Sequence, residues 1–404
     1  MKRSDKLSVT GIIAEFNPLH KGHEYLIKEA KKSGPVICVI SGNFVQRGDT
    51  AIAEKRIRAK AALMCGADLV LELPVLWSMS TAQNFALGGV SALYFAGCDK
   101  ILFGSECGDI QKLYRASKIL NSPEFSQKIE KHLSNGITFA SARQIAGEEC
   151  GIEKGILNCP NNNLGIEYIS AALREGYNIE FETVSRRGAA HDSLEEAEFV
   201  SASLLRQKIT EGDVKFCEKY MPENVVKLFS KENISEISRI DRAILASLRT
   251  KSVENLKNLP DLSEGLENKL FSAIRVAKNC EELYNSIKVK RYTHARVRRL
   301  CLSAFLGMEN NYFMKPIPYL RVLGFNATGK ELLGKKLSKA DVPVIVRSCD
   351  IDKLSDAEKA VFKLESRATD LFGLTLEIPY ECGLEHTAKI IDLKDEENDT
   401  GKGN

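Results

Sequence analysis

Apolar positions in the first 110 residues cluster into short β-rich runs, at 9–14, 36–40, 68–73 and 100–103, separated by stretches with helical spacing. Strands parted by helices of that length need crossover connections, so the pattern predicts parallel pairing and a doubly wound α/β sheet. Gly34-Pro35, Gly66-Ala67-Asp68 and Gly97-Cys98-Asp99 stand just ahead of strands, where glycine ends the preceding helix. A fifth strand fits 178–184, and this unit is expected to fill residues 1–210. From 211 to 310 Leu, Ile and Ala recur at helical spacing, as in Ile237, Ile240, Ile244, Leu245 and Leu248, and predict a helical domain. Residues 311–318 hold two prolines and read as a linker; strands at 319–324 and 342–347 predict a small α/β segment over 311–391, followed by a polar tail, 392–404.

At 404 residues the chain is too long for one core, which fits this division. Fifty-seven Lys and Arg against 54 Asp and Glu leave a net charge of +3, so a nucleic acid must be met by a local patch and not by an overall field. The 11 cysteines include no C-x-x-C pair, which argues against zinc ribbons and a disulfide framework and points to a reducing, cytoplasmic setting. The basic start, Met1 to Lys6, lacks the features of a signal peptide, and no apolar run approaches the roughly 20 residues of a membrane span.

The densest candidate chemistry lies at 11–26, which runs from the first strand through Asn17-Pro18 into a helix opening near Gly22. His20 and His23, three apart, share a face at a helix N-terminus, where backbone N–H groups and the dipole favour an anion, and Gly22 permits close approach. A phosphate site fits; two helix-capping histidines or a His-x-x-His zinc site are the other readings of the same pair. Later, Ser201 and Ser203 are placed to cap a helix with Arg206 one turn in, where a triphosphate could be met. Ser41 to Gly48, Phe103-Gly104-Ser105-Glu106 and Pro160 to Gly165 fall at strand ends or helix starts, where open α/β sheets bind ligands.

His20-Lys21-Gly22-His23 after the first strand resembles the His-x-Gly-His signature of the nucleotidylyltransferase superfamily, and Val200 to Arg206 resembles its Ile-Ser-x-Thr-x-x-Arg helix start. With Glu15-Phe16-Asn17-Pro18, Arg186-Arg187-Gly188-Ala189 and Lys290-Arg291-Tyr292-Thr293, the chain from about 9 to 330 resembles the bacterial tRNA(Met) cytidine acetate ligases. That resemblance implies a two-step reaction. ATP and acetate give acetyl-adenylate and pyrophosphate, and the acetyl group then passes to N4 of the wobble cytidine of elongator tRNA(Met). It also implies an ATP site along Ile13, Ala14, Glu15, Phe16, Asn17, Pro18, Leu19, His20, Lys21, Gly22, His23, Glu24, Tyr25 and Leu26. Gly104, Asn161 or Asn162, Arg186 or Arg187, Ser201 and Arg206 would complete it, with Mg²⁺ accompanying the ATP. His20 and His23 would stabilise the leaving phosphates while Lys21 and Arg206 neutralise them. Asn163, and Ala190-His191, depart from the family pattern and leave open which Asn and which Arg make contact.

Residues 288–299 hold six Lys or Arg in twelve positions and predict the RNA face: Lys288, Lys290, Arg291, Arg296, Arg298 and Arg299, with Tyr292 to stack on an unpaired base. If the segment is one helix, Lys288, Arg291, Arg298 and Arg299 share a face. A second patch, Lys55, Arg56 and Arg58 with Lys60, could hold the anticodon loop. Gly324 to Lys330 matches G-x-x-x-x-G-K, but Glu331 replaces the Ser or Thr that would hold Mg²⁺, so a strand-to-helix turn is expected. Two other functions share the histidine motif: a small-molecule adenylyltransferase of cofactor synthesis, and an RNA-binding protein with a regulatory nucleotide site.

Overall fold

A computed structural model describes residues 8–186, 200–263, 265–289, 292–310 and 316–393. Its strands are β1 (Thr10–Ala14), β2 (Val36–Ser41), β3 (Phe44–Val45), β4 (Asp49–Thr50), β5 (Leu69–Leu73), β6 (Lys100–Ser105), β7 (Glu180–Ser185), β8 (Leu320–Phe325), β9 (Val344–Ile345) and β10 (Ile391–Asp392). β5, β2, β1, β6 and β7 lie side by side and all pair in parallel. Every residue of β2 and β5 is buried, as expected of strands covered by helices on both faces. The chain grows outward from β1 to β2 and β5, then returns to place β6 on the other side of β1. That reversal opens a crevice above the C-terminal ends of β1 and β6, the place where such sheets take ligands.

The C-terminal part differs from expectation. It is not a separate small segment: β8 pairs antiparallel with β5, and β9 and β10 pair with β8, making one eight-stranded sheet. The physical reason is the edge of β5, whose five buried residues need a partner that the N-terminal strands do not supply; β8, itself buried throughout, provides it. The expected strand at 342–347 shrinks to Val344–Ile345. At the G-x-x-x-x-G-K match, Asn326 caps the helix Ala327–Lys335, and Gly329 lies so close to Asp68 that an added Cβ would meet its carbonyl oxygen at 1.9 Å. That glycine serves packing and leaves no cradle for a phosphate.

Helices Ile110–Leu120, Pro123–Ser134, Phe139–Glu149 and Pro160–Glu175 separate β6 from β7. Helices from Ala202–Thr210 to His294–Leu306 occupy the stretch after β7. In Asp241–Arg249 the apolar stripe Ile244, Leu245 and Leu248 is buried.

Candidate active site

The helix Lys21–Lys31 starts directly above the end of β1, and the two histidines themselves cap it. His20 Nδ1 accepts the Gly22 N–H at 3.1 Å, and His23 Nδ1 accepts the His20 N–H at 3.4 Å. Their rings stack at 3.8 Å. Burial, with the Arg186 cation beside it, pulls the His20 pKa down to about 4; burial, then His20 and Arg186, pulls His23 well below the usual histidine range. Both are therefore neutral at pH 7, and since Nδ1 is an acceptor in each, the proton sits on Nε2. His20 thus presents an Nε2–H donor at a helix N-terminus, an arrangement suited to a phosphate oxygen, while the His23 ring also bonds the Pro18 backbone. Two histidines fall short of the three or four protein ligands a zinc site takes, and no group of three or more metal-ligating side chains exists among the described residues, so the zinc reading gains no support.

Across the crevice, Glu106 at the end of β6 accepts the N–H groups of Asn161 and Asn162 at 3.2 and 2.8 Å, capping the helix Pro160–Glu175. Asn162 is buried and spent at both ends, accepting from the Cys107 N–H and donating to the Ile156 carbonyl. Asn161 is half-buried, and its Oδ1 accepts from Arg186 at 3.1 Å. Arg186 lies over Gly104, where an added Cβ would meet its Cγ at 3.0 Å. Gly104, Asn161 and Arg186 thus meet one another, and Arg186 is near enough to act on both histidines. Arg187 lies outside the described residues, as do Lys290 and Arg291.

The third wall is the loop after β1. Arg206 donates to the Asn17 carbonyl at 2.8 Å and to Ser203 Oγ at 3.1 Å, while Ser201 caps its helix. Asn17 Oδ1 accepts the Ile52 N–H, and Glu15 accepts the Gln46 N–H at 3.0 Å. Other predicted contacts point elsewhere: Ile13, Phe16 and Leu19 are core side chains, Glu24 pairs with Lys28, and Lys21 Nζ is on the carbonyl of Lys219. Tyr25 is exposed on the same helix, Leu26 packs toward the core, and Ala14 and Pro18 bring only backbone and small apolar groups.

Two of the predicted RNA contacts are wrong. Lys55 and Arg58 are fully buried. Lys55 Nζ lies 2.5 Å from Glu72, 2.5 Å from Glu385 and 3.4 Å from Glu365; Arg58 donates to the carbonyls of Ala53, Glu15 and Gly42. A cation enclosed by such partners cannot reach a phosphate. Arg56 also turns inward, to Glu54 and the Leu384 carbonyl. Nor is 288–299 one helix: Lys288 ends the helix Cys280–Ile287, Val289 bridges Tyr292, and a new helix, His294–Leu306, starts after the Thr293 cap. Arg296 lies over the Tyr292 ring and bonds Asp261; Arg299 bonds Asp261 and the Gln46 carbonyl; Arg298 lies over Tyr284, 3.7 Å from Asp49. Asp261, in a left-handed turn at φ 61°, is the organising anion that charge counting missed; the Pro260-Asp261 pair is its only sequence signal.

A family model described as HIGH nucleotidyl transferase matches residues 7–383. The chain is 37% identical to the tRNA(Met) cytidine acetate ligase of Caldanaerobacter subterraneus subsp. tengcongensis over 91% of this chain and 95% of that one. It is also 37% identical to that of a Thermoanaerobacter species, over 96% and 100%. The crystal structure of Thermotoga maritima TmcAL bound with alpha-thio ATP superimposes with a TM-score of 0.86 at 29% identity, covering 95% of this chain and 99% of that one. With a matching model over most of its length and full-length relatives at this identity, the chain belongs to the tRNA(Met) cytidine acetate ligase family of HIGH nucleotidyl transferases.

Proposed function

We propose that this protein is an ATP-dependent ligase that activates acetate as acetyl-adenylate and transfers the acetyl group to N4 of the wobble cytidine of elongator tRNA(Met). The observation that carries the reading is the stacked, neutral histidine pair at the N-terminus of the helix after β1, with the Arg186 cation acting on it. In the first step an acetate oxygen attacks the α-phosphorus, the bond to the bridging oxygen breaks, and pyrophosphate leaves. The Nε2–H group of His20 meets charge growing on the phosphate oxygens, with Arg186 and Arg206 adding positive field. In the second step N4 attacks the acetyl carbonyl and AMP leaves.

The described residues offer no cage for Mg²⁺, so the ion belongs to this scheme as a companion of the nucleotide phosphates. The partly exposed Arg296, Arg298 and Arg299 supply the RNA face, which a maker of small nucleotide cofactors would not need. No helix among the described residues is long and apolar enough to cross a membrane, and the tRNA substrate makes the cytoplasm its place of work.

The test is exchange of labelled pyrophosphate into ATP, with acetate and other carboxylates, beside His23→Ala. Exchange that requires acetate and disappears in the variant supports carboxylate adenylation; exchange indifferent to every carboxylate refutes it and favours the adenylyltransferase.

A further inference from the structure

The transfer step needs a group to receive a proton, because the exocyclic amine of cytidine is a weak nucleophile whose nitrogen becomes cationic as it attacks. The histidines are unsuited to that task, having Nδ1 committed to capping and Nε2 protonated. Two carboxylates are tied to the basic helix His294–Leu306, one directly and one through Gln46. Asp49 accepts the Thr50 N–H at 2.8 Å and faces Arg298 at 3.7 Å, so it belongs to the RNA face. Glu15 stands at the tip of β1, one residue past Ala14, and is half-buried.

Glu15 is held in a specific way. One carboxylate oxygen accepts the Gln46 N–H; the other has no hydrogen bond among the described residues. The carbonyl of the same Gln46 accepts from Arg299 at 3.2 Å, and Arg58 donates to the Glu15 carbonyl at 2.6 Å. The turn that carries Gln46 presses against the basic helix so closely that a Cβ on Gly48, whose φ is 70°, would meet the Arg299 nitrogen at 2.6 Å. The backbone of one residue, Gln46, thus joins the RNA face to a carboxylate at the tip of β1.

The geometry points to Glu15 as the group that takes the N4 proton when acetyl passes from adenylate to cytidine, a role that rests on the ligase reading above. The N4 lone pair forms the new C–N bond with the acetyl carbon. The C–O bond to the phosphate breaks, its electron pair leaves with AMP, and one N4 proton moves to the Glu15 carboxylate and then to water. A carboxylate is also the acceptor that suits a cytosine amino group in recognition. Arg58 from the helix Lys55–Met64, Arg206 from Ala202–Thr210, Arg47 from the β3–β4 turn and Tyr168 from Pro160–Glu175 surround it. Burial raises its pKa above the usual carboxylate value, against the Gln46 N–H and the guanidinium cations, and that makes it a stronger acceptor.

The test supplies chemically prepared acetyl-adenylate and an unmodified tRNA(Met) transcript to the full-length protein, so that transfer is read apart from adenylation. Glu15→Gln is expected to slow transfer about 100-fold, the size of a lost general base, and to erase the fall in rate toward acid pH that the wild type shows. Glu15→Asp should recover part of the rate and keep an acid limb, moved along the pH axis. Asp49→Asn should keep the limb unmoved. Transfer by Glu15→Gln within about threefold of wild type, or loss of the limb in Asp49→Asn instead, overturns the assignment. Should Glu15→Gln fail to fold by circular dichroism, the Glu15→Asp profile decides, and a limb that coincides with wild type overturns it. A wild type that neither exchanges pyrophosphate with acetate nor transfers supplied acetyl overturns the ligase reading and this role together.

Discussion

Lys55→Met tests the most concentrated feature of the interior. Lys55 comes from the helix after the β3–β4 hairpin and Glu72 from β5, whereas Glu365 and Glu385 come from the C-terminal segment, so this ammonium joins two parts of the chain. All four side chains are buried. The Lys55, Arg56 and Arg321 cations hold Glu385 down to about 2 against its burial, while burial and the neighbouring Glu72 push Glu365 well above the carboxylate range. Methionine fills the aliphatic volume but strands at least one buried carboxylate, a loss of about 3–5 kcal/mol by the measure of broken buried ion pairs. The sign with pH follows from the same charges. Without Lys55 the folded carboxyls titrate above their unfolded values, so the variant's folded state gains protons as pH falls and its deficit shrinks. Urea unfolding of both proteins at pH 7.5 and pH 5 measures this, with hydrogen exchange of residues 356–373 as a local reporter. A deficit below about 1 kcal/mol at pH 7.5, or one that does not shrink at pH 5, refutes the reasoning.

Asn161→Ala should raise the KM for ATP in pyrophosphate exchange with little change in melting temperature, whereas Asn162→Ala, which orphans the Cys107 N–H and the Ile156 carbonyl, should lower stability by about 1–3 kcal/mol; the reverse pattern would move the ATP contact to Asn162. His20 is neutral when folded down to about pH 4 but takes a proton near 6.5 when unfolded, so its contribution is present above 6.5 and lost as pH falls toward 4, by at most about 3 kcal/mol. His20→Asn keeps a capping side chain without that titration, and its melting temperature should vary less between pH 6.5 and 4 than the wild type's. Arg298→Ala should weaken tRNA binding and reduce the slope of log affinity against log salt by about 1; an unchanged slope would remove Arg298 from the RNA contacts.

What the sequence made legible, and what it hid, divides along the range of the forces involved. The parallel strands and the histidine-capped helix follow from local pattern, since a buried apolar run flanked by glycines and a His-x-Gly-His turn carry their own geometry. The antiparallel insertion of β8 beside β5 is invisible locally, because strands of 5 and 6 residues have the same appearance whichever partner covers them. Charge was the weakest guide. Lys55, Arg56 and Arg58 read as a basic surface because the counter-charges that bury Lys55, Glu72, Glu365 and Glu385, lie up to 330 positions away. Arg58 makes its hydrogen bonds not to carboxylates but to the carbonyls of Ala53, Glu15 and Gly42, which no charge pattern records. The same blindness hid Gln46, whose side chain is incidental; its peptide N–H and carbonyl fix Glu15 on one side and Arg299 on the other. A site assembled from backbone groups leaves its trace in glycines and turns, here Gly42, Gly48 and the hairpin between β3 and β4, and those are the positions at which a substitution should be felt first in the chemistry.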